Sequence, residues 1–105
     1  MSGDGDRNGD RDRRILDIVR SLGPGEVVSY GDIAEDAGHP GRSRLVGRLL
    51  ATTTEDVPWW RVVTSNGRLV PGAEIEQRQR LLGEGVTVTD GHVRRAPIGR
   101  FSSRR

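Results

Sequence analysis

The chain has 105 residues, which sets a single domain as the expectation. Hydrophobic residues make up 32% and charged residues 30%, a lean core but not the composition of a disordered chain. With no cysteine, the sequence excludes disulfides, cysteinate metal sites and a cysteine nucleophile, and its 2 histidines argue against a His-rich zinc site.

No apolar run approaches the roughly 20 residues that span a bilayer, and no signal-like segment opens the chain. A cytoplasmic protein with no membrane partner is therefore the expectation, nucleoid-associated if bacterial. The net charge of +2 conceals an asymmetry. Residues 1–41 carry 5 Arg against 9 Asp and Glu, a net of −4, whereas residues 42–105 carry 12 Arg against 6 acids, a net of +6. A basic C-terminal part suggests a protein that turns one face to phosphate. Every basic residue is arginine, which is also what a GC-rich genome yields.

Residues 1–13 hold no apolar side chain after Met1 and are expected to be a disordered tail. From Arg14 the pattern turns helical, with Ile15, Ile18, Val19 and Leu22 on one face, until Gly23-Pro24-Gly25 stops it. Val27-Val28 is a short extended stretch. Ser29 reads as an N-cap, with Asp32 three positions on as its capping-box partner. The helix it starts is expected over 30–37, burying Ile33, Ala34 and Ala37. After the turn Gly38-His39-Pro40-Gly41, a second helix over 42–51 buries Leu45, Val46, Leu49 and Leu50. Two short helices joined by a tight glycine-containing turn form the helix-turn-helix pattern. Arg42, Arg44 and Arg48 fall on the polar side of the second helix, where a recognition helix carries charge. For Arg42 and Arg48, phosphate contact and a solvated helix face are equally good readings.

Residues 52–58 form a polar loop. Pro58 leads into the short apolar run Trp59-Trp60-Arg61-Val62-Val63, which ends at the turn Ser65-Asn66-Gly67. A third helix is expected over 74–83, with Ile75, Leu81 and Leu82 as its apolar positions. Val86-Thr87-Val88 and His92-Val93-Arg94 flank Asp90-Gly91 as a hairpin. The segment from Arg94 has five arginines and no acid, and residues 102–105 are expected to be a disordered basic tail.

Catalytic groupings are poor. His39 sits in a turn and His92 in a hairpin, so neither is set beside a serine as a base. Paired carboxylates such as Glu55-Asp56 and Glu74-Glu76 lie in polar segments, and no Walker-type phosphate loop is present. Composition and spacing favour a binding module. Trp59-Trp60 is the unusual feature of an aromatic-poor chain. One or both indoles could fill the core, or one could line a pocket for a flat ligand such as an unstacked base.

Taken in order, Ser29-Tyr30-Gly31-Asp32-Ile33-Ala34, Gly38-His39-Pro40, Arg44-Leu45-Val46-Gly47, Pro58-Trp59-Trp60-Arg61-Val62-Val63 and Glu76-Gln77-Arg78-Gln79 through Glu84-Gly85-Val86 resemble the C-terminal DNA-binding domain of O6-alkylguanine-DNA alkyltransferases. The likeness covers roughly residues 15–93. Active alkyltransferases carry Pro-Cys-His-Arg-Val, and here Trp59 stands at the acceptor cysteine. That is the mark of the alkyltransferase-like proteins, which bind alkylated guanine without repairing it. An indole is no substitute for the thiolate that alkyl transfer requires.

The resemblance implies a mainly α fold with a small β-hairpin, a winged helix-turn-helix domain over residues 14–101. It implies a monomer, without cofactor or metal, that binds O6-alkylguanine in duplex DNA through the minor groove and flips the nucleotide. It further implies that the lesion is flagged to nucleotide excision repair proteins. Arg44 aligns with the arginine finger that replaces the flipped nucleotide, and Tyr30 with the tyrosine that pushes the 3′ phosphate. DNA contacts are expected at Tyr30, Arg42, Arg44, Arg48 and Ser65, and a lesion pocket at Tyr30, Trp59, Trp60, Val62 and Arg68. Trp60 replaces the family's histidine, which leaves Glu84, the partner of that histidine in active enzymes, a structural role. Arg68 is the nearest counterpart of an arginine that relatives carry near the flipped base. The alternative is a winged-helix transcriptional regulator without lesion specificity, which would dimerise on a palindromic site.

Overall fold

In a computed structural model of the chain, residues 4–102 are described. The elements run α1 (Asp4–Arg20), β1 (Glu26–Ser29), α2 (Tyr30–Asp36), α3 (Ser43–Thr52), a 3-10 turn (Trp59–Arg61), β2 (Val62–Val63), α4 (Glu74–Leu82), β3 (Thr87–Thr89), β4 (His92–Arg95) and β5 (Ile98–Gly99). This is the mainly α architecture with small β elements that the sequence suggested. None of the described helices is long and apolar enough to cross a membrane.

Within the segment 1–13, expected to be disordered, the described residues from Asp4 onward are helical. The first helix thus begins ten residues before the apolar periodicity. Acidic residues early in a helix oppose the positive end of its dipole, and Arg–Asp pairs one turn apart add to it. Arg13 and Asp17 form such a pair at 3.6 Å, and Arg20 reaches back to the same carboxylate at 2.9 Å. Arg13 and Arg20 also converge on Glu55, in the loop after α3. The Arg13 hydrogen bond, with that of Arg20, draws the Glu55 carboxyl down to about 2. Residues 1–3 and 103–105 lie outside the described residues. Ser102, expected to start the C-terminal tail, donates its backbone N–H to the Gly99 carbonyl at 3.1 Å.

The capping box at Ser29 forms as expected. Ser29 Oγ accepts from the Asp32 N–H, and Asp32 Oδ2 accepts from the Ser29 N–H, both at 3.0 Å. Between β3 and β4, Asp90 and Gly91 take φ of 55° and 72°, the left-handed pair that a two-residue type I′ loop demands.

A three-stranded parallel sheet, in the order β2-β1-β5, was not foreseen. It sets Val28 opposite Val62 and Val27 opposite Gly99. Successive side chains of a strand point to opposite faces. Val62 therefore enters the core under α1, α2 and α3, while Val63 enters a second core with Leu69, Leu81, Val88 and Val93. The sheet is the partition between two small cores. On α4 the apolar expectation was partly wrong. Leu81 is buried, but Ile75 is 78% and Leu82 43% exposed, and the fully buried polar residue Gln77 shares the inner face with Leu81.

Candidate functional site

Two aromatic side chains and the C-terminal end of α3 meet around a cavity of about 320 Å³. Its lining comprises Tyr30, Gly47, Leu50, Ala51, Thr53, Trp59, Val70 and Ala73. That volume lies at the low end of small-ligand pockets, about 300–1,000 Å³. Tyr30 is the first residue of α2, directly after the capping box, so its backbone is held by Ser29 and Asp32. Burial pushes its phenol pKa up. Gly47 faces the tyrosine ring, and a Cβ there would lie 3.8 Å from Tyr30 Cε1, so a larger side chain would occupy the cavity.

Trp59 and Trp60 part company in the 3-10 turn that follows Pro58. Their rings stand at 89° with centroids 6.1 Å apart. Trp59 faces the cavity, whereas Trp60 turns away and packs on the second core. Trp60 Nε1 donates to Glu84 Oε2 at 2.9 Å, and the Arg80 guanidinium lies 4.4 Å above its ring. Arg61 grips the same carboxylate, with Nη2 to Oε2 at 2.7 Å and Nε to Oε1 at 3.0 Å, and donates Nη1 to the Leu22 carbonyl at 2.8 Å. The Gly25 N–H completes the set at 2.9 Å. Burial of Glu84 would raise its pKa, but the hydrogen bonds from Arg61, Gly25 and Trp60 outweigh it and bring the carboxyl to about 2. The structural role expected for Glu84 is thus visible in atoms: it ties the 3-10 turn to Gly25, in the loop between α1 and β1.

Gln77 performs the matching task on the other side. Its Oε1 accepts from the Val70 N–H at 2.7 Å, and its Nε2 donates to the Trp60 carbonyl at 3.2 Å. The segment that carries Val70 and Ala73 is thereby joined to the turn that carries Trp59. Sequence reasoning missed Gln77, although a signal existed: it precedes the buried Leu81 by one helical turn.

The structure unites only part of the expected pocket. Tyr30 and Trp59 line it. Trp60 does not, because its indole is committed to Glu84. Val62 does not, because it is wholly buried in the first core. Arg68 does not either; it is exposed, and its backbone bridges His92. Gly67 permits that approach, since a Cβ there would strike the Val93 carbonyl. The residues missed were Gly47, Leu50, Ala51, Thr53, Val70 and Ala73, small or aliphatic groups that no motif distinguishes.

Arg42, Arg44 and Arg48 line an open depression on α3 with Gly41, Ser43 and Leu45. All three are exposed, and none has an ion-pair or hydrogen-bonding side-chain partner among the described residues. This contrasts with Arg13, Arg20, Arg61, Arg80 and Arg100, each engaged by a carboxylate. Ser65 sits in an exposed turn, where its carbonyl accepts from Arg100 Nε at 3.1 Å. Arg100 also donates to Asp32 Oδ1 at 2.8 Å, linking that turn to the start of α2. Among the described residues no group of His, Asp and Glu could hold a metal.

Residues 10–86 match the family model described as the 6-O-methylguanine DNA methyltransferase DNA-binding domain. Among similar proteins, the DNA base-flipping protein of Vibrio parahaemolyticus is 36% identical over 81 residues, 73% of this chain and 81% of the relative. The DNA base-flipping protein of Escherichia coli is 41% identical over the same length, 73% of this chain and 63% of the relative. The crystal structure of Schizosaccharomyces pombe Atl1 in complex with damaged DNA containing O6-carboxymethylguanine superposes with a TM-score of 0.72 at 26% identity, covering 92% of this chain and 97% of that one.

Proposed function

The chain belongs to the family of the 6-O-methylguanine DNA methyltransferase DNA-binding domain, and from that premise we propose that it is a non-enzymatic sensor of O6-alkylguanine in duplex DNA. It flips the damaged nucleotide into the cavity beside Trp59 and leaves the alkyl group in place. One observation carries this reading. Trp59, which the resemblance sets at the position of the acceptor cysteine, forms a wall of the cavity, and the 105 residues contain no cysteine. An aromatic wall can stack on an extruded base, but it offers no thiolate to accept an alkyl group.

The surroundings suit the task. The unpaired Arg42 and Arg48 can neutralise phosphates at little cost, because no internal ion pair must first be broken. Arg44 enters the duplex as the finger that fills the space left by the flipped base, where its flat guanidinium can stack and donate hydrogen bonds. Tyr30 turns the 3′ phosphate. Approach through the minor groove fits a protein that must act in any sequence, since that groove carries little sequence information. Flipping costs a few kcal/mol of unstacking and unpairing, least for a weakened pair, which favours O6-alkylguanine over guanine. The opened complex then serves as the flag for nucleotide excision repair.

The test uses two labelled duplexes differing in one O6-methyl group, titrated by anisotropy at physiological salt. Tighter binding to the modified duplex in several flanking sequences, with the methyl group recovered intact on the DNA, is the expected result. Equal affinity for both duplexes would refute lesion sensing and leave a winged-helix regulator as the reading to pursue.

A further inference from the structure

We infer that the cavity selects uncharged, apolar substituents on guanine O6 and disfavours anionic ones, an inference that rests on the lesion-sensing reading above. Its walls are Leu50, Ala51, Val70, Ala73, Gly47 and the two aromatic rings; the polar side-chain groups are the hydroxyls of Tyr30 and Thr53 and the indole N–H of Trp59, all neutral. No lining residue carries a positive charge. The arginines that could supply one are committed or elsewhere. Arg61 and Arg80 are held at Trp60 by Glu84 and Glu76. Arg42, Arg44 and Arg48 line the separate depression on α3, and Arg68 lies outside the cavity lining.

An apolar cavity without a counter-charge treats two groups of equal shape differently. A branched alkyl group gains from leaving water, roughly in proportion to its apolar area. A carboxylate of the same size loses its hydration, and a few neutral donors without a counter-charge replace it poorly. Charge, rather than size, is therefore the property by which this chain sorts adducts of similar bulk.

Isobutyl and carboxymethyl groups make the comparison, since both present four heavy atoms with the same branching. Four duplexes carrying guanine, O6-methylguanine, O6-isobutylguanine or O6-carboxymethylguanine at one position are competed against a labelled probe, using the full chain. The isobutyl duplex is expected to bind at least tenfold tighter than the carboxymethyl duplex. Thr53→Lys, which places a cation on the cavity wall at the C-terminal end of α3 where the helix dipole favours it, is expected to close most of that gap. A circular dichroism spectrum and melting temperature like those of the parent report that this variant still folds. If the carboxymethyl duplex binds as tightly as the isobutyl duplex while both exceed guanine, charge selection is refuted and lesion sensing stands. If the gap exists but the folded Thr53→Lys variant leaves it unchanged, the cavity is not its origin and the inference is refuted. If all four duplexes bind equally, the lesion-sensing reading falls and the inference with it.

Discussion

Glu84→Gln is the perturbation that most directly probes how the Trp59 turn is held. In the native chain one carboxylate accepts from the Arg61 guanidinium, the Trp60 indole and the Gly25 backbone. A glutamine side chain offers one acceptor oxygen to the same donors and leaves the Arg61 guanidinium, only 12% exposed, without a counter-charge. The carboxyl's fall from 4.5 to about 2 sets the scale, at most about 3 kcal/mol at neutral pH. Loss of the partner of a part-buried ion pair points to a similar size. For a domain of this length, that is on the order of 10–20 °C in melting temperature. Thermal unfolding followed by circular dichroism, with urea titration read by tryptophan fluorescence, measures it. Glu76→Gln is the control, because its pair with Arg80 is exposed and should be worth less than about 0.5 kcal/mol. The pH dependence has a definite sign. The folded carboxyl is more acidic than the unfolded one, so its contribution is complete above the unfolded value of 4.5 and disappears as the pH falls towards about 2. Glu84→Gln should flatten that acid limb. A shift in melting temperature below about 2 °C, or an acid limb that does not change, would refute this account.

Further expectations follow from the same geometry. Gln77→Leu leaves the part-buried Val70 N–H and Trp60 carbonyl without this partner, at up to about 1–3 kcal/mol for each group, whereas the exposed Gln79→Leu should be nearly neutral; chemical denaturation compares them. Arg44→Ala should weaken binding to an O6-methylguanine duplex by about thirtyfold or more with an unchanged melting temperature, and full retention of affinity would reject the finger assignment. Arg48→Ala should weaken modified and unmodified duplexes alike and reduce the slope of log affinity against log salt by about 0.9, the value for one lost phosphate contact. Tyr30→Phe keeps the cavity wall and should cost little in binding, whereas Tyr30→Ala removes the ring and should cost much more; equal losses in a titration would show that the hydroxyl carries the role.

What the sequence by itself determined is local or near-local in origin. The faces of α2 and α3, the Ser29–Asp32 capping box and the Asp90-Gly91 hairpin depend on residues within a turn or two of each other, where spacing and backbone preference speak directly. The absence of a thiol nucleophile is equally a fact of the chain alone. Tertiary structure decided the rest. Trp59 and Trp60 are neighbours of the same type, and only the 3-10 turn, with Glu84 standing 24 residues away to receive the second indole, sends one to the cavity and the other to the core. Val62 belongs to the interior because pairing with Val28 fixes which face of β2 it occupies, a register invisible in a two-residue strand. The helix over 4–13 has no apolar face to reveal it, so periodicity is silent where helix dipole and ion pairs act. The cavity itself is closed by Leu50, Val70 and Ala73, ordinary residues whose meaning arises only when α3, the 3-10 turn and the segment before α4 converge. Local interactions choose the elements; long-range packing and shared hydrogen-bond partners choose which side chains face the ligand.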